Sequence, residues 1–160
     1  MAIRSVALAG MVADTSLYNI DGACVVGGSD PINVGVAVKV TPEPLIDGHK
    51  VVVASDIASG DAVGVVVRSH YETPDGTAKA REAVNVMTSG RIWMRTTLTE
   101  APTFGAPVLV SATGVVDATG VATGWTFAGG FIPAATADGA MPSQGDSADG
   151  PLVEVQIKQK

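Results

Sequence analysis

The sequence predicts an all-β fold, a small antiparallel β-sandwich or β-barrel with an extended N-terminal arm and long loops. Hydrophobic residues make up 46% of the chain but aromatic residues only 4%, so valine and alanine supply most of the apolar surface. Valine is stiff in helices and packs well on pleated surfaces. The 19 glycines and 9 prolines interrupt regular structure at short intervals. Apolar residues also recur at every second position in several short runs, the periodicity of strands.

The first 22 residues are expected to form an arm, and residues 23–160 a single β domain. The first 20 residues mix small apolar and polar side chains without a sustained alternation or a helical period. An arm that lies on a neighbouring subunit is one arrangement, and packing against its own domain is the other. A chain of 160 residues has the size of one ordinary domain, so one compact unit is expected.

Short strands separated by turns are predicted from residue 23 onward. Segments 34–39 and 63–68 share one template of Val-Gly-Val, two apolar residues and a base, which predicts two equivalent strands. Pro42 and Pro44 end the strand that follows residue 34, because proline lacks a backbone donor. Residues 136–151 are rich in Ala, Asp, Gly and Ser and are predicted as an exposed loop. Further predicted strands are residues 23–26, 50–54, 83–97, 108–110 and 152–160.

The stretch 83–97 is predicted as a strand, a glycine kink at Gly90 and a second strand. Its alternation places one set of apolar side chains on one face and the stripe of Arg91, Trp93 and Arg95 on the other. A structural or subunit-interface role is favoured for this stripe over a platform that stacks a base or sugar. The apolar set consists of Val84, Val86, Ile92 and Met94.

No catalytic, cofactor-binding or metal-ligating motif is found, so no enzymatic activity and no cofactor are expected. The two histidines, His49 and His70, do not have the spacing of metal ligands. Cys24 is the only cysteine, which excludes an intrachain disulfide and favours a buried, inert thiol. Most carboxylates fall in loops, where turn formation and solvation explain them. An enzyme site assembled only by folding is an alternative, and a polar cleft that joins a histidine to carboxylates would favour it.

The surface is expected to be poor in charge. Only 16% of the residues are charged, below the roughly 25% of soluble domains, and the formal net charge is −6. This indicates an exterior that is partly covered by copies of the chain or by a partner, with a low-charge monomer as the alternative. Nucleic acid is not an expected partner, because phosphate binding needs clustered Lys and Arg. A membrane is not expected either, since no stretch approaches the roughly 20 apolar residues of a span.

Five segments follow the small-residue arm in a fixed order. They are Val-Gly-Val-Ala-Val at 34–38, Gly-Asp-Ala-Val-Gly-Val-Val-Val at 60–67, Val-Asn-Val-Met-Thr-Ser-Gly-Arg-Ile-Trp-Met at 84–94, Gly-Ala-Pro-Val-Leu-Val at 105–110 and Val-Glu-Val-Gln-Ile at 153–157. Together they resemble the structural cement, or head decoration, proteins of tailed bacteriophages. The likeness covers most of the chain and is best between Val34 and Val110.

The resemblance implies a virion protein on the outer surface of the capsid that binds the major capsid protein, bridges its subunits and stabilises the shell. It carries over no catalytic, cofactor-binding or metal residues. Other copies of the chain, as a dimer or trimer on the capsid lattice, are the second expected partner. Residues 1–20 and the C-terminal strand are the candidate bridging elements. The alternative is a carbohydrate- or receptor-binding β module of a virion spike or fibre, which an exposed aromatic platform at Trp93 or Trp125 would favour.

Overall fold

A computed structural model describes residues 7–69, 76–134 and 149–158 of the chain. The described residues form ten β-strands and no helix, so the predicted all-β class is confirmed. The strands are β1 (Val12–Val26), β2 (Ile32–Asn33), β3 (Ala37–Val40), β4 (Lys50–Val53), β5 (Gly64–Val66), β6 (Thr77–Ala78), β7 (Ala83–Arg95), β8 (Pro107–Val110), β9 (Val121–Ile132) and β10 (Leu152–Ile157). It follows that no described helix is long and apolar enough to span a bilayer.

Eight strands form one sheet in the order β1-β4-β3-β5-β7-β10-β9-β8, while β2 and β6 form a separate two-stranded ribbon. β1 also pairs with β7, which closes β1, β4, β3, β5 and β7 into a ring, as in a barrel. Within this ring β1 and β4 run parallel, and the other pairs are antiparallel. Bridges from Val116 to Thr96 and to Val110 connect the end of β7 to β8. β7 is therefore shared by two closed circuits of strands.

Two hydrophobic clusters lie on either side of β7. The first contains Trp125 and residues of β8, β9 and β10, and the second contains residues of β1, β3 and β4. β3 and β5, which arise from the two template segments, lie side by side with Ala37 opposite Val65. These two residues belong to the first cluster, whereas Val38 and Val66 belong to the second. The valine-rich strands are apolar on both faces because each face covers a different core.

β7 alternates as predicted, but its apolar residues do not share one face. Val84 and Val86 lie in the second cluster, whereas Ile92 and Met94 lie in the first. The expected single apolar face is therefore wrong. The alternation shifts by one residue in the stretch that contains Gly90, whose φ is 118°. A β-bulge has this effect, because one extra residue exchanges the two faces of the strand.

Residues 12–22 of the predicted arm are part of β1 and pair with β7. Just before them, Gly10 N donates to Trp93 O at 2.8 Å, and Trp93 N donates to Met11 O at 3.0 Å. Ala7 and Ala9 are buried in the second cluster. The described part of the predicted arm, residues 7–22, thus packs against its own chain, which is one of the two arrangements considered above. Residues 1–6 lie outside the described residues.

The C-terminal strand lies inside the sheet. β10 pairs with β7 on one side and with β9 on the other, and Leu152, Val153, Val155 and Ile157 are fully buried. Both backbone edges are occupied, so the expectation that this strand bridges to another protein is wrong for residues 152–157. Most of the predicted loop at 136–151 lies outside the described residues.

Candidate interaction surfaces

The stripe of Arg91, Trp93 and Arg95 on β7 is held by contacts within the chain. Arg91 Nε donates to Gln156 Oε1 at 3.0 Å, and Arg95 Nε donates to the carbonyl of Val34 at 3.0 Å. The Trp93 ring is partly buried against the second cluster. These contacts agree with the predicted structural role, because both arginines are hydrogen-bonded within the chain and the ring is partly covered.

The second proposed aromatic platform, Trp125, is not at the surface. Its side chain is only 2% exposed and is among the largest fully buried side chains of the described residues. Together with the packing of Trp93, this burial removes the feature that would have favoured a carbohydrate- or receptor-binding module.

A cluster of three charged side chains, Arg68, Arg95 and Asp149, binds the N-terminal segment around Ala9. Arg68 contacts Asp149 at 2.7 Å and donates through Nε to Ala9 O at 2.9 Å, while Ala9 N donates to Asp149 Oδ2 at 2.9 Å. Arg95 NH2 lies 3.9 Å from the same carboxylate, and Arg95 NH1 donates to the backbone carbonyl of Asp149. Burial lowers the pKa of Arg95 despite the attraction of Asp149. Asp149 thus connects the N-terminal segment to β7 and to the end of β5.

A bulge in β1 is the most exposed apolar feature of the sheet. Asp14 is opposite Arg91 and Asn19 is opposite Ser89, so the four residues between them face the single residue Gly90. We call residues 15–18 the β1 bulge. Within it, Leu17 is 70% exposed and Tyr18 is 47% exposed.

Hydrogen bonds order both ends of the β1 bulge. Asp14 Oδ1 accepts bonds from Ser16 N at 2.8 Å and from Ser16 Oγ at 2.6 Å, and these two bonds lower the pKa of Asp14. On the other side, Asn19 Nδ2 donates to Thr88 Oγ1 at 2.7 Å. Specific side-chain hydrogen bonds therefore fix the conformation of the β1 bulge at both ends.

Other exposed apolar side chains are spread over separate loops and strand ends. Phe104 is in the connection between β7 and β8 and is 71% exposed. Its ring lies beside Gly129 of β9. The remaining ones are Val40 at the end of β3, Leu45 between β3 and β4, and Val63 before β5. Single exposed apolar residues are ordinary on soluble proteins, but several around one small, charge-poor domain are typical of a protein with many contacts.

Two surface clefts formed by described residues bear on the enzyme alternative. One, of about 310 Å³, is lined largely by the turn at residues 27–31 together with Val53 and Val115. The other, of about 200 Å³, lies between Leu98, Pro107 and Phe127. Neither is lined by a histidine or a cysteine, so neither has the composition of the polar cleft that would favour an enzyme.

The potentially reactive side chains of the described ranges include one histidine and one cysteine. His49 lies on an exposed turn in a bridge with Ile46, and His70 lies outside the described residues. Cys24 is buried, and desolvation raises the pKa of its thiol. Within the described ranges, no three His, Cys, Asp or Glu side chains are placed to hold a metal ion.

These features define a small β protein that has two hydrophobic cores and several exposed apolar side chains on its surface. A family model described as "Structural cement protein (E217 gp24/Pam3 gp6)" matches residues 2–158, nearly the whole chain. The chain belongs to this family of phage structural cement proteins, and it is a capsid cement protein of the virion. The resemblance noted in the sequence is thereby confirmed.

A solved structure supports the fold. A chain in the structure titled "The capsid of Myoviridae Phage XM1" matches with a TM-score of 0.63 at 15% identity, covering 98% of this chain and 92% of that chain. At such low identity the likeness concerns the fold. No curated protein shows significant sequence similarity to the chain.

Sequence reasoning did not identify the β1 bulge. One local signal was present, because Leu17 and Tyr18 are adjacent apolar residues between polar ones, from Asp14 to Ser16 on one side and Asn19 on the other. Asp followed two residues later by Ser is also a pattern that forms local side-chain turns. The exposure of the pair depends on its register against β7, which the local pattern does not contain.

Proposed function

We propose that the protein sits on the outer surface of the phage head and bridges neighbouring major capsid protein subunits, which stabilises the shell. The observation that carries this proposal is the match of the structural cement family over residues 2–158. Association with capsid proteins follows from that membership. The outer position and the bridging of subunits are the steps that we add.

The distribution of exposed apolar side chains supports bridging. Leu17 and Tyr18 on β1, Val40 at the end of β3, and Phe104 between β7 and β8 lie in different parts of the fold. Contacts at several such points, each modest, add up because dissociation must break all of them at once. A charge-poor surface also reduces the desolvation penalty of such contacts.

The open edge of β1 supports a contribution from a neighbouring strand. Among the described residues, β4 pairs with β1 only at Cys24–Val26, which leaves the edge from Val12 to Ala23 without a strand on that side. An extended segment of another protein adds to such an edge through backbone hydrogen bonds. Residues 1–6 precede this strand and stay part of the predicted bridging arm. Copies of the chain are proposed to meet on the capsid lattice as dimers or trimers.

We propose no enzymatic role and neither nucleic acid nor membrane as a partner. The net charge of −6 opposes binding to phosphate backbones. Three of the arginines, Arg68, Arg91 and Arg95, lie within 4 Å of carboxylates of the chain. Two carboxylates, Asp149 and Glu154, thus offset part of their positive charge within the chain.

The test is the decoration of phage heads assembled without this protein. Purified full-length chain is added, occupancy is read by cryo-electron microscopy, and the temperature at which heads rupture is compared with undecorated heads. We expect saturable occupancy at positions between capsid subunits and a higher rupture temperature. Folded protein that leaves the heads bare, or that binds them without raising this temperature, would contradict the proposal.

A further inference from the structure

We propose that the β1 bulge is the main anchor of the protein on the shell and that Leu17 and Tyr18 enter an apolar, uncharged pocket of the major capsid protein. This inference rests on the proposed function. It adds the contacting residues and the chemistry of the surface that receives them.

The conformation of the β1 bulge is fixed by its contacts with β7 and by hydrogen bonds at its two ends. Four residues face Gly90 alone, and a Cβ at Gly90 would lie 2.7 Å from Tyr18 Cβ and 3.3 Å from Leu17 O. The bulge therefore rests directly on the backbone of β7, the strand that both cores share. Its two ends are held by the Asp14–Ser16 and Asn19–Thr88 hydrogen bonds. Binding by such a preordered segment requires little loss of conformational entropy.

The chemistry of the bulge specifies an uncharged partner surface. Leucine and tyrosine stand among Thr15, Ser16 and Asn19, which are polar but carry no charge. The nearest carboxylate along the chain, Asp14, accepts two hydrogen bonds from Ser16. Protein interfaces typically have an apolar centre and a polar rim. The residues that dominate the binding energy lie near this centre, and tyrosine is enriched among them. The complementary site is an apolar pocket with one polar group for the Tyr18 hydroxyl.

The area of the bulge favours a capsid subunit over a second copy of the chain. Its two exposed side chains offer roughly 200 Å², so the bulge and a receiving pocket bury about 400 Å² together. Two symmetrical copies would bury about 800 Å², which is below the roughly 1,200 Å² of a stable interface. A contact of this size holds only as one of several, as on a lattice where each copy touches more than one subunit.

The experiment measures binding to heads assembled without this protein. Wild type is compared with the double variant Leu17→Ser/Tyr18→Ser and with the control Leu45→Ser, which removes a similarly exposed leucine from the connection between β3 and β4. We expect the double variant to lose about 30-fold or more in apparent affinity, as for an interface hot spot, and the control to lose less than about 3-fold. All substituted side chains are exposed, so circular dichroism and thermal unfolding should match wild type. If the double variant does not fold, the single variant Leu17→Ser decides, with an expected loss of about 10-fold.

The other outcomes overturn the inference. If wild type binds the heads and the double variant binds within about 3-fold of it, the bulge is not the anchor, while the proposed function stands. An equal loss in the Leu45 variant would show that any exposed leucine matters, which also contradicts an anchor at β1. Conversion of an oligomer to monomers by the double variant, with head binding retained, would assign the bulge to a self-contact. Failure of wild type to bind removes the proposed function and this inference together.

Discussion

The indole ring of Trp93 lies over Gly130, so that a Cβ at position 130 would approach Trp93 Cη2 to 2.5 Å. Trp93 is on β7 and Gly130 on β9, and the strand between them is β10, which contributes Glu154 opposite Trp93. The tryptophan therefore covers the width of β10 on this face. Only glycine at position 130 leaves room for the ring to pack flat against the sheet. This packing explains why the ring is not available to stack on a ligand.

The replacement Gly130→Ala is expected to destabilise the fold by about 1–3 kcal/mol, the range for overpacking a filled site. The added methyl would also meet Glu154 Cβ at 2.9 Å, so a movement of the ring alone would not relieve the clash. Urea unfolding followed by circular dichroism measures the difference. In a Trp93→Phe background the smaller ring should reduce the penalty of the alanine, and an unchanged penalty would show that the two residues are not coupled.

The replacement Gly90→Ala is expected to destabilise the protein by about 1–3 kcal/mol, because an L-residue is strained at a φ of 118°. The new methyl would in addition press on Tyr18 Cβ from below the β1 bulge. Thermal unfolding is the measurement, with Ser89→Ala on the same strand as the matched control. Equal stability of the Gly90 variant and the control would contradict the described bulge geometry.

Removal of the Asp149 carboxylate is expected to destabilise the protein by about 2 kcal/mol, since two partly buried arginines and the backbone N–H of Ala9 lose a partner. Asp149→Ala leaves Arg68 and Arg95 to repel each other without a counter-charge. Limited proteolysis should then cut first near the N-terminal segment that Arg68 and Asp149 hold. Asp30→Ala on an exposed turn is the control, and an Asp149 variant as stable as this control would count against the cluster.

Asp21 and Lys50 form an ion pair that connects β1 to β4 and makes stability depend on pH. The hydrogen bond from Lys50 lowers the pKa of Asp21, and the bond to Asp21 raises the pKa of Lys50. The aspartate contribution is therefore complete above its unfolded pKa of about 3.9 and disappears as the pH falls through the lowered folded value. The lysine contribution is complete below about pH 10.4 and disappears as the pH rises through the raised folded value.

Because Lys50 is about half exposed, the pair should contribute only about 0.5 kcal/mol or less. Asp21→Asn should show this deficit in urea unfolding at pH 7 and lose it at pH 2, where the wild-type carboxyl is protonated as well. Added salt at pH 7 should narrow the same difference. Asp30→Asn serves as the control, and a deficit of the Asp21 variant that persists at pH 2 would assign it to something other than the ion pair.

Local patterns in the sequence were sufficient for the class of the fold and for much of its strand content. Alternation along 83–97 correctly predicted a strand with Ile92 and Met94 on one face and Trp93 on the opposite face. The two template segments contain β3 and β5, which pair directly, but residues 34–36 form a turn before β3 instead of the predicted strand. β9 was not predicted, because Gly124, Gly129 and Gly130 interrupt its apolar pattern. A strand that is covered on one face buries every second side chain, so its apolar residues repeat with a period of two. This repeat is visible in the sequence without a structure.

By itself, the sequence determined an all-β protein, its main strands and, through the order of its segments, its likeness to capsid cement proteins. Only the tertiary structure decided that β1 closes onto β7, that β10 is a central strand, and that Leu17 and Tyr18 are exposed. The physical reason is that alternation records which side chains are buried, whereas strand partners and bulges are set by backbone hydrogen bonds between residues far apart in the chain. Residues 15–18 interrupt the register of β1 against β7, and no periodicity of their side chains marks that bulge in the sequence.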